Sequence, residues 1–267
     1  MYHEGLQLIS PYRPDTAMAD ALDLPDRGLM AIVGAGGKTT AMYRLAAELI
    51  ARGLRTACAT TTKIFPPAPH QAELVLAENN TRLLDMCRET SAVRRPVCLG
   101  WALDGQKLLG LETEFIHRLA DTKVFDWILV EADGARCLPL KVPAAHEPVI
   151  PGRSTHVLAV AGLTAIGSPL NEEHVCRSAR YAELTGLAPG SPVTPASVAY
   201  ACAHAEGMYK GTPDAAVRLL WLNQADTPRA LDRGREVLGL LSDSGALPQR
   251  ACLGAAGRAQ CVMEVWT

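Results

Sequence analysis

With 267 residues, 48% of them apolar and 20% charged, and a net charge of -2, the chain has the composition of an ordinary globular protein. The near balance of charge excludes an electrostatic case for binding nucleic acid or an anionic membrane. No apolar run approaches the roughly 20 residues that a bilayer-spanning helix needs. The N-terminus, with Glu4, Arg13, Asp15 and Asp20, lacks the apolar core of a signal peptide, so a cytoplasmic location is expected.

Residues 1–27 read as irregular, with Pro11, Pro14 and Pro25 around a short helical stretch at 16–23. Residues 28–33 form an apolar run ended by glycines, which predicts a buried strand. Met42, Leu45, Ala46 and Leu49 recur at three- and four-residue steps, predicting a helix over 39–52 that Gly53 ends. Further strands are expected at 56–61, 74–76, 97–99, 108–109, 124–130, 156–161, 217–222 and 250–253. Helical pattern covers 80–90, 112–121, 171–187, 194–206 and 227–242. This alternation predicts an α/β fold with a mainly parallel sheet and helices on both faces. The eight cysteines include no C-x-x-C pair and no metal-ligand spacing, so reduced core thiols are expected.

Between the first strand and its helix stands Gly34-Ala35-Gly36-Gly37-Lys38-Thr39-Thr40. Glycines let backbone N–H groups turn toward an anion, a lysine neutralises phosphate charge, and a hydroxyl at the helix start offers a ligand to Mg²⁺. This is a P-loop, in a short G-x-x-G-K-T form that resembles the ATP-binding loop of Mur-type amide ligases. A single P-loop NTPase-like domain over 1–267, with 1–27 as its irregular N-terminal segment, is therefore expected.

A second constellation closes the strand at 124–130: Glu131-Ala132-Asp133-Gly134. A carboxylate beside a triphosphate suits a hard cation. Lys38 and Asp133 are the candidate catalytic residues, Asp133 orienting the attacking group. Thr39 and Glu131 are the candidate Mg²⁺ ligands, and the Gly134 N–H would face the γ-phosphate. Asn223-Gln224-Ala225-Asp226 resembles the N-K-x-D element of GTP-binding proteins. An aspartate there accepts two hydrogen bonds from guanine that adenine does not offer, while the competing reading is a cap for the helix near Thr227-Pro228. The ligand is thus GTP or ATP. Candidates for a second substrate are Thr61, Thr62 and Lys63 at the second strand's end, and Arg136, Lys141 and His146 in the proline-rich loop that follows the acidic strand.

Taken together, these motifs resemble the YqeC family, proteins associated with selenium-dependent molybdenum hydroxylases. The resemblance is carried by residues 33–40, 60–64, 130–135, 139–141, 147–151, 169–174 and 223–226, with Arg136 where the family usually has lysine. It implies a maturation or cofactor-supply role, with a molybdenum hydroxylase or its maturation factors as partner. Three activities remain open: Mg²⁺-dependent hydrolysis of the nucleotide, ligase or kinase chemistry on a small molecule, and non-catalytic nucleotide-gated binding.

Overall fold

A computed structural model describes residues 16–90 and 95–267; the expected irregular stretch before residue 16 lies outside them. In chain order the elements are α1 (Met18–Ala21), β1 (Gly28–Gly34), α2 (Lys38–Ala51), β2 (Thr56–Thr60), β3 (Lys63–Ile64), β4 (Glu73–Leu76), α3 (Asn80–Thr90), β5 (Val97–Gly100), β6 (Leu103–Asp104) and β7 (Lys107–Leu109). There follow α4 (Thr113–Asp121), β8 (Trp127–Glu131), β9 (Leu140–Lys141), β10 (His156–Gly162), β11 (Val175–Cys176), α5 (Ser178–Thr185), α6 (Pro195–Ala203), β12 (Val217–Asn223), α7 (Pro228–Asp243), β13 (Arg250–Gly254) and β14 (Val262–Trp266). The expected α/β class is the observed one.

Nine strands form one sheet in the order β14-β13-β12-β10-β1-β8-β2-β5-β4. All its pairs are parallel except β13–β14. Strands covered on both faces read as continuous apolar runs, and β1, β8 and β10 do so because each face has its own helices. Met30 and Ile32 pack in one core with Met42, Leu45 and Leu49 of α2 and with α1. Ala31 and Val33 face the opposite way, into a core with Val198 of α6 and Val237 and Leu241 of α7. Toward the other end of that face, Ile128 and Val130 meet Phe115, Ile116 and Leu119 of α4.

The chain leaves β1 to build one half of the sheet, then crosses back over β1 from β8 to β10. The C-terminal end of β1 is therefore a topological switch point, where an open α/β sheet forms its ligand crevice.

Most predicted elements stand within a residue or two of their expected bounds. The largest departure is the helix expected over 171–187, which starts only at Ser178. Asn171 Oδ1 accepts from the backbone N–H groups of Glu173 and His174, making a local turn, and Val175–Cys176 pair with Leu140–Lys141 as a two-stranded ribbon. β3, β7 and β6 make a small antiparallel sheet. No helix among the described residues is long and apolar enough to cross a membrane. All eight cysteines are free thiols; seven are buried and Cys137 is exposed.

Candidate functional site

The loop after β1 is held by backbone geometry first. Gly37, at φ 119°, starts α2 from the left-handed region, and a Cβ there would stand 2.3 Å from Asn223 Nδ2. The loop is lashed to its neighbours on three sides. Ala35 N–H donates to Val160 O of β10, Gly36 N–H to Leu138 O, and Asn223 Nδ2 donates to Gly36 O at 2.6 Å. The first intrahelical bond runs from Ala41 N to Gly37 O, so the N–H groups of Lys38, Thr39 and Thr40 have no helical acceptor. With the positive end of the helix dipole they face a cavity of about 420 Å³.

Lys38 is 4% exposed. Its Nζ donates to Gly34 O at 2.8 Å and lies 3.5 Å from Glu131 Oε1 and 3.3 Å from Asp133 Oδ1. Burial pulls its pKa down, but the charges of Asp133 and Glu131 outweigh that and leave it raised. Glu131 Oε2 accepts from Thr39 Oγ1 at 2.7 Å. Burial holds the Glu131 carboxyl above its ordinary range, only partly offset by Lys38. Asp133, 1% exposed, lies beneath the loop. Its Oδ2 accepts from Gly34 N–H at 3.2 Å and meets Lys141 Nζ at 2.9 Å.

The oxygen pair of Thr39 and Glu131, at the helix start and the strand end, fits a hard cation such as Mg²⁺ held chiefly by phosphate and water. Among the described residues there is no group of three or more His, Cys, Asp or Glu side chains able to hold a metal by themselves. Glu131 and Gly134 line the cavity. Asp133, expected to orient an attacking group, does not itself line the cavity; it stands behind Lys38, which does, and is held by Gly34 N–H and Lys141.

Behind Asp133 the charges continue inward. Lys141 has a wholly buried side chain, and its Nζ donates to Gly134 O at 2.8 Å and to Glu147 Oε2 at 2.7 Å. Glu147 Oε1 in turn accepts from Arg177 at 2.9 Å. Lys141 was expected to face a second substrate, but its ammonium is spent on Gly134, Asp133 and Glu147 instead. His146 is exposed and stands apart from the cavity lining. Thr61 Oγ1 donates to Val149 O, and Thr62 Oγ1 bonds Thr60 Oγ1, so both serve the loop structure. Lys63 and Arg136 do line the cavity, joined by Phe65 and Lys107, which sequence reasoning missed.

A second cavity, of about 360 Å³, shares Gly36, Gly37 and Thr40 with the first and is lined by Asn223, Asp226 and the segment 255–258. Asn223 Oδ1 accepts from Trp221 Nε1 and from Ala256 N–H, so this side chain bolts the phosphate loop to the segment after β13. Asp226 meets the Arg258 guanidinium at 3.0 Å, and the cap of α7 is Thr227, whose Oγ1 accepts from Ala230 N–H. The cap reading of Asp226 is thereby set aside. The only signal for 255–258 in the sequence is the run of small residues Gly254-Ala255-Ala256-Gly257 at a strand end.

A family model described as "YqeC protein" matches residues 30–179. A curated relative, the "Uncharacterized protein YqeC" of Escherichia coli (strain K12), is 34% identical over 197 residues, covering 73% of this chain and 75% of the relative. Among solved structures, a crystal structure of FtsY from Mycoplasma mycoides aligns with a TM-score of 0.41 and 13% identity, over 91% of this chain and 66% of that one. The matched segment runs from β1 through the phosphate loop, the acidic strand end and the Lys141–Glu147–Arg177 chain of charges, and on that match the chain belongs to the YqeC family.

Proposed function

We propose that this protein binds a nucleoside triphosphate with Mg²⁺ and hydrolyses it, as a factor in the maturation or cofactor supply of selenium-dependent molybdenum hydroxylases. One observation carries the nucleotide reading. Lys38 sits at a helix start with three unused N–H groups, its ammonium 3.5 Å from Glu131 and 3.3 Å from Asp133. The unused N–H groups and the positive end of the helix dipole favour an anion, phosphate oxygens above all, and Lys38 at their edge can turn to it from its carboxylates.

In this reading Gly34, Ala35, Gly36 and Gly37 shape the loop, and the N–H groups of Lys38 to Thr40 hold phosphate oxygens. Thr39 and Glu131 hold Mg²⁺, whose chemistry is to neutralise charge on the phosphates. Gly134 presents backbone to the terminal phosphate. Asp133 acts as a positioning residue for Lys38 and for the Gly34 N–H. Asn223 fixes the loop, and Asp226 reads the base, with GTP preferred over ATP because only guanine offers the donor pair an aspartate accepts.

Calorimetry with Mg²⁺–GTP and Mg²⁺–ATP tests this. Lys38→Ala is expected to weaken nucleotide binding by about tenfold or more, the value of a charge-assisted contact. Unchanged affinity and turnover in that variant would overturn the reading. The maturation role is tested separately, by asking whether a molybdenum hydroxylase subunit raises the hydrolysis rate.

A further inference from the structure

We propose that the far wall of the phosphate-loop cavity is a second subsite for a small, phosphate- or carboxylate-bearing anion, held by Lys63, Lys107 and Arg136. This rests on the nucleotide reading above, in which the triphosphate fills the near wall at the start of α2. The far wall comes from elsewhere in the chain: Lys63 and Phe65 from β3 and its continuation, Lys107 from β7, and Arg136 from the turn after β8.

The charge pattern points to an anion. The cavity lining has one carboxylate, Glu131, which is 5% exposed and already engaged by Thr39 and Lys38. Against it stand three cations besides Lys38. Lys107 has no carboxylate partner among the described residues; its Nζ lies 3.0 Å from the centroid of the Phe65 ring. That cation–π contact holds the ammonium in place without neutralising it. Lys63 pairs with Asp104 at 2.7 Å and Arg136 with Glu172 at 3.8 Å, but all four side chains are more than half exposed. Exposed pairs of that kind contribute little because water screens them, so both cations exchange partners at little cost. Lysines on a small edge sheet often serve only to keep it soluble. Such lysines point to open solvent, whereas Lys63 and Lys107 both line the cavity.

The backbone supplies an independent sign. Arg136 and Cys137 are successive non-glycine residues in the left-handed region, at φ 52° and 61°. That conformation is unfavourable for an L-residue, and strain of this kind collects at binding sites because the surrounding structure imposes it. Here the imposing contacts are visible. Gly36 N–H donates to Leu138 O and Gly162 N–H to Pro139 O, so the turn is clamped between the phosphate loop and β10. The clamp fixes Arg136 at the cavity mouth.

The test titrates inorganic phosphate by calorimetry into protein first saturated with a non-hydrolysable nucleotide analogue and Mg²⁺. One phosphate is expected to bind to the loaded wild type, and about tenfold more weakly to Lys107→Ala and to Arg136→Ala, with Arg136→Lys restoring much of the loss. No phosphate binding to loaded wild type, or binding indifferent to both alanine variants, would overturn the subsite. If the analogue itself fails to bind, the nucleotide reading falls on its own. The subsite is then decided with Lys38→Ala protein: phosphate binding that Lys107→Ala weakens about tenfold keeps it, and absence of binding, or binding indifferent to Lys107→Ala, removes it. Circular dichroism checks the fold of every variant.

Discussion

Lys141 Nζ stands 2.9 Å from Asp133 Oδ2, with both side chains buried. Asp133 therefore has two cationic partners, Lys38 in front and Lys141 behind. When Lys38 turns to a phosphate, Lys141 remains to compensate the carboxylate, so loading the loop does not strand a buried charge. Replacing Lys141 with methionine keeps the bulk and removes the charge, leaving Asp133 and Glu147 buried without it. The variant is expected to lose about 3–5 kcal/mol of stability, read from urea denaturation, and a loss below about 1 kcal/mol would show the network to be dispensable.

Gly37 carries a different kind of constraint. Any side chain there meets both the left-handed φ of 119° and Asn223 Nδ2 at 2.3 Å. Gly37→Ala is expected to cost about 1–2 kcal/mol of stability from the backbone alone and to abolish nucleotide binding by shifting the loop. Calorimetry on the folded variant checks it, with Gly53→Ala, left-handed but in open space, as the comparison for backbone cost without the loop.

For base selection the two residues to separate are Asp226 and Arg258. GTP is expected to bind about tenfold more tightly than ATP, and Asp226→Ala to erase the difference. Because Arg258 occupies the Asp226 carboxylate in this structure, guanine must displace it. Arg258→Ala is thus expected to raise GTP affinity by about twofold to fivefold, the worth of an exposed pair. Competition titrations with both nucleotides read out all three effects; a GTP preference that survives Asp226→Ala would remove the aspartate from base reading.

The pH profile of stability has two arms with separate causes. Burial raises the Glu147 carboxyl, but the hydrogen bond from Lys141 and the charges of Lys141 and Arg177 outweigh it and set it below its ordinary 4.5. It therefore contributes stability that is present above that value and lost as pH falls through the folded-state pKa. Lys38 lies above its ordinary 10.5, so its contribution is present below that value and lost as pH rises through the folded-state pKa. Urea midpoints measured across pH are expected to fall at both ends. In Glu147→Gln the acid-side fall should be shallower, from a lower plateau.

The near wall of the site was legible because each piece is a local pattern: an apolar strand, a glycine turn and a helix period mark the phosphate loop, and an apolar run ending in Glu131 marks the acidic strand. The far wall was legible only in part. Lys107 reaches the cavity because β7 folds back on β3, and no local pattern of three residues predicts that long-range pairing. Lys141 carries the same residue type as Lys63, yet one is buried and the other exposed; sequence spacing does not tell a cation that pairs inward from one that faces a ligand. The helix expected over 171–187 failed for a related reason. Asn171 folds its side chain onto the following backbone N–H groups, and such short polar residues compete with helical bonding.

Burial of seven cysteines leaves Cys137 as the one thiol open to solvent, and it lines the cavity mouth beside Arg136. Nature has in effect installed a single labelling position. A maleimide fluorophore added to the folded wild-type protein is expected to react there first, placing an environment-sensitive reporter at the cavity without mutagenesis. Occupancy by nucleotide and by phosphate then becomes readable in one cuvette, as two optical signals whose order of arrival can be timed.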